Sequence, residues 1–481
     1  MSQVNKRKVY QHPFLIMSSL YLGAFVGMFS ETSLNIALPN LSNYFHTPLS
    51  LMQWIVVGYM MVIGIVLPFA SFLMKNYSIR HLTLFSLICF LIGSLISAFA
   101  PSFSLLLIGR MIQGIGTGLI LPMLFATSMA VFPIQKLGSA MGIAALIIMF
   151  APAIGPTLAG ILLGVGNWRL IFLSFAIILI IAVICAYCFI ESPFELTKQK
   201  IDRLSCLLSA FGFGGIILAF SNASEFSFAS IFVIIPLIIG IIALIFYTKR
   251  QLTMTQPILN LKALKNKGFV IGTLLVMLNF GITLSSMYLL PQILQNALNI
   301  PVALTGMIML PGGIVNAIVS FASGKLYDQL GPKKLVPLGF VITTIGCLAF
   351  GQLTTQASIV YIIACHLLLM IGIPLSMSPA QSSALQALPQ GLSTDGSTII
   401  NTLQQVLGAV ATAVTTCLLQ LGSKQASFTQ ESKNYMVGAH WGFYFAFILA
   451  IMGLILAFKV QTPSYMQKKK KNYQEATIDN H

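Results

Sequence analysis

Acidic residues are scarce in this chain: ten Asp and Glu stand among 481 residues, and charged side chains of both signs make up 7%. Domains that fold in water carry about a quarter charged residues. With 57% hydrophobic residues and a mean hydropathy of +0.91, this chain is excluded from that class. Six histidines and ten acids, scattered, leave no cluster for hydrolytic chemistry, and no metal site is expected. The seven cysteines are odd in number and spread out, which argues against a disulfide framework. Cys185 and Cys188 form a CxxC, but inside an apolar run, where neither a redox nor a metal role is read. No Walker motif occurs, so nothing points to ATP as a driver. Gly114, Gly116 and Gly118 follow no strand and precede no Gly-Lys-Ser/Thr. Close helix packing by small residues is the better account of them than a phosphate cradle. No cleavable signal is read either, because Lys6-Arg7-Lys8 lead into an apolar run too long for an h-region.

What the chain does have is apolar runs of about twenty residues, the length of a membrane-spanning helix. A transmembrane barrel would show shorter, alternating segments. The fold class is therefore an all-α integral membrane protein. Helices are expected near 14–38, 51–74, 79–100, 103–131, 139–163 and 168–190, then 204–220 and 229–247. Six more are expected near 268–290, 303–324, 335–353, 357–380, 397–420 and 440–459. Fourteen spans put both termini on one side. With that side cytoplasmic, 22 of the 26 Lys and Arg fall in cytoplasmic segments, the others being Arg110, Arg169, Lys424 and Lys433. This is the positive-inside bias. It accounts for the net charge of +16 and the pI of 9.6 without nucleic acid as a partner. The tail Lys468–Lys471 reads as a topology signal, with contact to anionic membrane lipid as a second reading. The short loops and basic cytoplasmic face suit a bacterial cell membrane.

The spans group as six, two and six. Residues 1–190 make one bundle, 191–267 hold two additional helices with their polar connectors, and 268–481 make a second bundle with a basic tail. Duplicated halves predict a site near the midplane between them and alternating access to it.

One acid, Glu31, falls within any expected span. A charge at the bilayer centre costs about 2.5–3.5 kcal/mol on insertion scales, so such a residue turns to a bundle interior, where it can exchange a proton or grip a cation. Asn35 lies one helical turn on and is expected to share its face. Arg110 is the matching buried base, on a face with Gln113 and Gly114. A single intramembrane acid predicts a low proton stoichiometry and a poor fit to multivalent cations. Pro152 and Pro156 should bend the fifth helix, because each removes a backbone donor. The second half offers polar groups instead of charge: Asn279, Asn316, His366, Gln381, Asn401, Gln404 and Gln405. Those amides are candidates to line a substrate cavity with Glu31, Asn35 and Gln113, while His366 reads as packing.

Motifs narrow this further. Gly324-Lys-Leu-Tyr-Asp328-Gln-Leu-Gly331-Pro-Lys333-Lys334 has a counterpart in Ser71–Arg80, each expected as a loop between helices. The first resembles the G-x-L-x-D-x-x-G-[RK]-[RK] signature of the major facilitator superfamily. Arg110-Met-Ile-Gln113-Gly114-Ile-Gly116 is similar to that superfamily's R-x-x-Q-G-x-G. Gly142, then Gly155-Pro156-Thr-Leu-Ala159-Gly160, resembles its antiporter motif, with Ala at two glycine positions. Asn35-Ile-Ala-Leu-Pro39, Asn167-Trp168-Arg169 and Asn401-Thr-Leu-Gln404-Gln405 resemble the fourteen-helix drug:proton antiporters. Lys75, Ser78, Ser30 and Gln404 depart from that pattern.

The resemblance implies a monomeric exporter, not an enzyme, driven by the proton gradient without a cofactor. Its substrates would be lipophilic small molecules, cations among them. Glu31 and Arg110 would couple the proton, and Gly142, Gly155, Pro156, Gly160, Gly324, Asp328, Gly331 and Lys333 would serve gating. Two rivals are an exporter of an endogenous lipid, peptide or metabolite, and a membrane-embedded enzyme acting on lipid-linked substrates. The second would need clustered acids or histidines that the chain does not show.

Overall fold

The computed structural model describes residues 10, 12–132, 137–191, 202–223, 226, 229–255, 257–389 and 392–460. The Lys6-Arg7-Lys8 lead, most of the 191–203 connector and the Lys468–Lys471 tail lie outside them. Among the described residues there is no strand. The first part holds α1 (Pro13–Ser33), α2 (Leu38–Phe45), α3 (Leu49–Met52), α4 (Trp54–Asn76), α5 (Ile79–Ala98), α6 (Phe103–Val131), α7 (Leu137–Val165) and α8 (Arg169–Phe189). A pair follows, α9 (Arg203–Asn222) and α10 (Ile231–Thr253). The rest comprises α11 (Lys267–Gln292), α12 (Val302–Leu330), α13 (Pro332–Phe350), α14 (Ile359–Gln386), α15 (Ser393–Gln425) and α16 (Glu431–Ala457). Thirteen of these are long and apolar enough to cross a membrane alone, and α7, bent by 41° between Leu146–Pro152 and Ile154–Val165, makes a fourteenth span.

Apolar runs of this length become helices because lipid offers no partner to a free peptide group. Polar caps start several of them. Ser102, Asn266 and Ser358 accept from the backbone N–H three residues on, opening α6, α11 and α14. Antiparallel neighbours approach where glycines meet: a Cβ on Gly93 of α5 would lie 2.6 Å from the Gly109 carbonyl of α6, and one on Gly372 of α14 2.7 Å from that of Gly339 in α13. Such contacts hold helices by van der Waals packing, since lipid supplies no hydrophobic drive.

Helices α1 and α4–α8 pack on one another, as do α11–α16. The two sets meet along two seams, α7 against α12 and α4 against α15. The α9–α10 pair leans on the second seam, with α9 touching both α4 and α15. Long helices alternate in direction. One face therefore holds the start of α1 with Arg80, Arg250, Lys262, Lys333 and Lys459, and the opposite face holds Arg169, Lys424 and Lys433.

Two expectations need correction. The first span is not one helix through residue 38. It ends at Ser33, and residues 34–37 form a tight turn closed by Asn35 N–H to the Thr32 carbonyl and Ala37 N–H to that of Leu34. The cause is Pro39, which has no N–H to offer the Asn35 carbonyl four residues back. Asn35 therefore sits in a turn and not one helical turn along the face of Glu31. The signature around Gly324 is not a loop either: α12 runs on to Leu330, and Gly331 alone joins it to α13. Gly331 has φ +74° and ψ 168°, a region open essentially to glycine only. Its counterpart Ser78 has φ −64° and instead caps α5, accepting from the His81 N–H.

Candidate functional site

Arg110 on α6 is fully buried and fully engaged. Its Nε donates to the Ile55 carbonyl (3.0 Å), Nη1 to Ser30 Oγ and to Gln113 Oε1 (2.7 Å), and Nη2 to the Ser30 carbonyl (3.2 Å). The guanidinium carbon lies 4.0 Å from the centre of the Tyr59 ring, in cation–π range. The partners are held in turn. Tyr59 Oη donates to the Gly27 carbonyl (2.8 Å) and meets Thr117 Oγ1 (2.7 Å), while Gln113 Nε2 donates to Ser94 Oγ (2.8 Å). This network ties α1, α4, α5 and α6 together. Gln113 has both ends of its amide committed to it, which places it in the brace and not on an open cavity.

Glu31, the residue after Ser30, has no exposed surface, and neither carboxyl oxygen makes a hydrogen bond among the described residues. It forms no ion pair with Arg110, which acts on it only through space. From the other bundle the amide of Gln405 approaches the carboxyl, and its Oε1 is likewise unbonded. Buried polar groups are nearly always paired, and the Glu31 carboxyl, at the seam of two bundles, is an exception among the described residues. Charge can appear there only with water or a cation to accompany it.

On the face away from the start of α1 the bundles are pressed together. A Cβ on Gly160 of α7 would lie 2.9 Å from the Val302 carbonyl and 3.0 Å from the Gly306 Cα of α12. Gln292 Nε2 donates to the Asn35 carbonyl freed by Pro39 (3.4 Å), Gln295 Nε2 to that of Ile36 (3.2 Å), and Gln53 Nε2 to that of Thr412 (3.4 Å). Within α7 the same logic recurs. Pro156 cannot serve the Pro152 carbonyl, which accepts instead from the Thr32 hydroxyl of α1 (2.7 Å). Beside it, a Cβ on Gly155 would overlap that hydroxyl.

The other expected residues scatter. Asn279 is joined to the Leu275 carbonyl and to Ser376 within the second bundle. Asn316 lines an apolar slit with Ile148, Pro152, Phe280, Met287 and Met377, whose free space of about 10 Å³ admits about one water. His366 is buried against Gly312 with both ring nitrogens unbonded. Asn401, Gln404 and Gln405 are buried on α15, the helix that packs on α4 across the seam. Gly324 and Lys333 are exposed at the basic face, Gly142 lies within α7, and the side chains of Asp328 and Lys75 lie outside the described set. The sequence reading missed Tyr59, Gln53, Gln292 and Gln295. Proline spacing was the available signal for Gln292, since Pro39 marks Asn35 as a carbonyl in need of a donor, whereas Tyr59 carried none.

The sequence profile of the major facilitator superfamily matches residues 20–412. The chain belongs to the major facilitator superfamily. This superfamily member is 44% identical over 455 residues to the lincomycin resistance protein LmrB of Bacillus subtilis, covering 92% of this chain and 95% of that one. It is 28% identical over 376 residues to a multidrug resistance protein B homolog of Mycobacterium tuberculosis, covering 77% and 69% of the two chains. In fold it resembles the crystal structure of a D-xylose-proton symporter, with TM-score 0.67 at 15% identity over 94% of this chain and 99% of that one. The protein is a multi-pass membrane transporter and not an enzyme.

Proposed function

We propose that this transporter exports lipophilic drugs, cationic ones among them, in exchange for protons, with Glu31 as the coupling group. The observation that carries the reading is the unbonded Glu31 carboxyl at the seam of the two bundles, next in sequence to Ser30, which holds Arg110, and facing Gln405. The names of the relatives, lincomycin and multidrug resistance proteins, support drug efflux and make lincomycin the first substrate to try. The distribution of Lys and Arg favours a cytoplasmic position for both termini. In that orientation the pressed-together face is external, and the cytoplasmic face is the side toward which Glu31 would release its proton. An arriving lipophilic cation compensates the carboxylate, so its binding favours loss of the Glu31 proton inward. The two six-helix halves, 1–190 and 268–481, then rock, external water returns a proton to Glu31, and the drug leaves. The transporter acts as a monomer in a bacterial cell membrane, on the proton gradient alone.

The test is uptake of a fluorescent lipophilic cation into inside-out vesicles under an imposed pH gradient. Uptake that a protonophore abolishes, and that Glu31→Gln lacks at equal expression, supports the reading. Uptake by Glu31→Gln equal to wild type removes Glu31 from the mechanism.

A further inference from the structure

The interior of α15 carries more unbonded polar atoms than bracing helices needs. Among the described residues, Ser397 Oγ, Asn401 Nδ2 and Gln405 Oε1 all lack a partner, and Thr402 Oγ1 beside them does too. Ser397, Asn401 and Gln405 are spaced by four, so they stack along one face of the helix. At 1.5 Å per residue the row is about 12 Å long. Exposure falls steadily along it, from 9% at Ser397 to 7% at Asn401 and 2% at Gln405, and reaches 0% at Glu31. Past Gln405 the row stops: Thr412, two turns on, gives its carbonyl to Gln53 in the contact that closes the opposite face.

We infer that Ser397, Asn401 and Gln405 form a water-bearing proton route joining the Glu31 carboxyl to the basic face of the protein. The inference rests on the reading of Glu31 as the coupling group. Each side chain offers an atom with free hydrogen-bonding capacity in a nearly dry wall, and buried groups of this kind are met by ordered water. In the step itself the carboxyl O–H bond breaks, the proton passes to the adjacent water, and a hydronium charge moves along the file to the basic face, leaving the carboxylate behind. Among the described residues, Arg110 on α6 and Tyr59 on α4 flank Glu31. At the mouth Asp395 opens the first turn of α15 with Tyr247 of α10 near it, and the Leu261–Lys265 turn, carrying Lys262 and Lys265, packs on α15. Ser397 acts by positioning water and not by binding drug, since it stands at the mouth of the row, two turns from Gln405.

The experiment uses the pair Ser397→Val and Ser397→Thr, nearly equal in bulk but different in the hydroxyl. Purified wild type, both variants and Glu31→Gln are given a pH jump in stopped flow with a pH dye, and the affinity for lincomycin is measured in parallel. The route predicts that Ser397→Val slows proton equilibration at least tenfold without changing its amplitude or the lincomycin affinity. Ser397→Thr restores the rate. An unchanged rate in Ser397→Val, or a weakened lincomycin affinity at an unchanged rate, overturns the route. A Thr variant as slow as the Val variant also overturns it, because bulk and not the hydroxyl would then be the cause. If Glu31→Gln takes up protons with the amplitude of wild type, the underlying reading of Glu31 fails instead. Should Ser397→Val not fold, Asn401→Leu against Asn401→Ser reads the same rates one turn deeper.

Discussion

Arg110 is held by four hydrogen bonds and a ring, so its charge is fixed in place without an ion pair to Glu31. A guanidinium can satisfy this site because its donors fan out in a plane, which an ammonium cannot imitate. Arg110→Lys keeps the charge but leaves the Ile55 carbonyl or Gln113 unserved. Hydrogen bonds to charged groups contribute about 1.5–3 kcal/mol each, so thermal unfolding of the purified variant is expected to show a loss of roughly 2–4 kcal/mol. A midpoint equal to wild type would contradict the brace. A second residue-scale test lies at the basic face, where Arg250 donates to both carboxylate oxygens of Asp202 at 2.6 and 2.9 Å. Those bonds, helped by the Ser205 hydroxyl, hold the Asp202 carboxyl down at about 2, below its ordinary 3.8. A lowered value stabilises the fold above the unfolded pKa, and the gain is lost as pH falls through the folded one. The midpoint of wild type should therefore exceed that of Asp202→Asn above pH 4, and the gap should close toward pH 2. A gap constant with pH would contradict the ion pair. Glu31 and Arg110 stood out in the sequence because a charge in an apolar run is rare. Their surroundings did not, because Ser30 and Tyr59 look like any other small or aromatic residue until the fold brings α1 and α4 beside α6.

Elements were legible by length and misread at their ends. Long apolar runs mark spans, but hydropathy fades gradually at the membrane surface, while helices stop where a backbone reason exists. Thus α12 continues to Leu330 because nothing before Gly331 stops it, and α1 breaks before its apolar run does because Pro39 leaves the Asn35 carbonyl free. The same chemistry makes α7 adjustable. The Pro152 carbonyl is shared with α1 through Thr32 only because Pro156 has no N–H, and the helix bends by 41° there. Pro156→Ala returns an intrahelical donor to compete with Thr32. The expected result is a transport rate several-fold lower with a thermal midpoint equal to or above that of wild type. Unchanged transport would show that the bend is only a shape and not a joint.

At the scale of the whole molecule, two helix sets meet with one face pressed shut by glycine contacts and amide-to-carbonyl bonds. An unbonded carboxyl remains between them, and a polar row leads from it toward the basic face. The count of spans, the duplicated motifs and the superfamily were readable from sequence, since each is a local pattern. Which face is closed was not, because Gln292 and Asn35 stand 257 residues apart and meet only across the seam. The most direct test of the account is proton release from the purified transporter on adding a lipophilic cationic drug, comparing wild type with Glu31→Gln. The account predicts drug-triggered release from wild type and none from a variant that still folds and still binds drug. Equal release from both would contradict it.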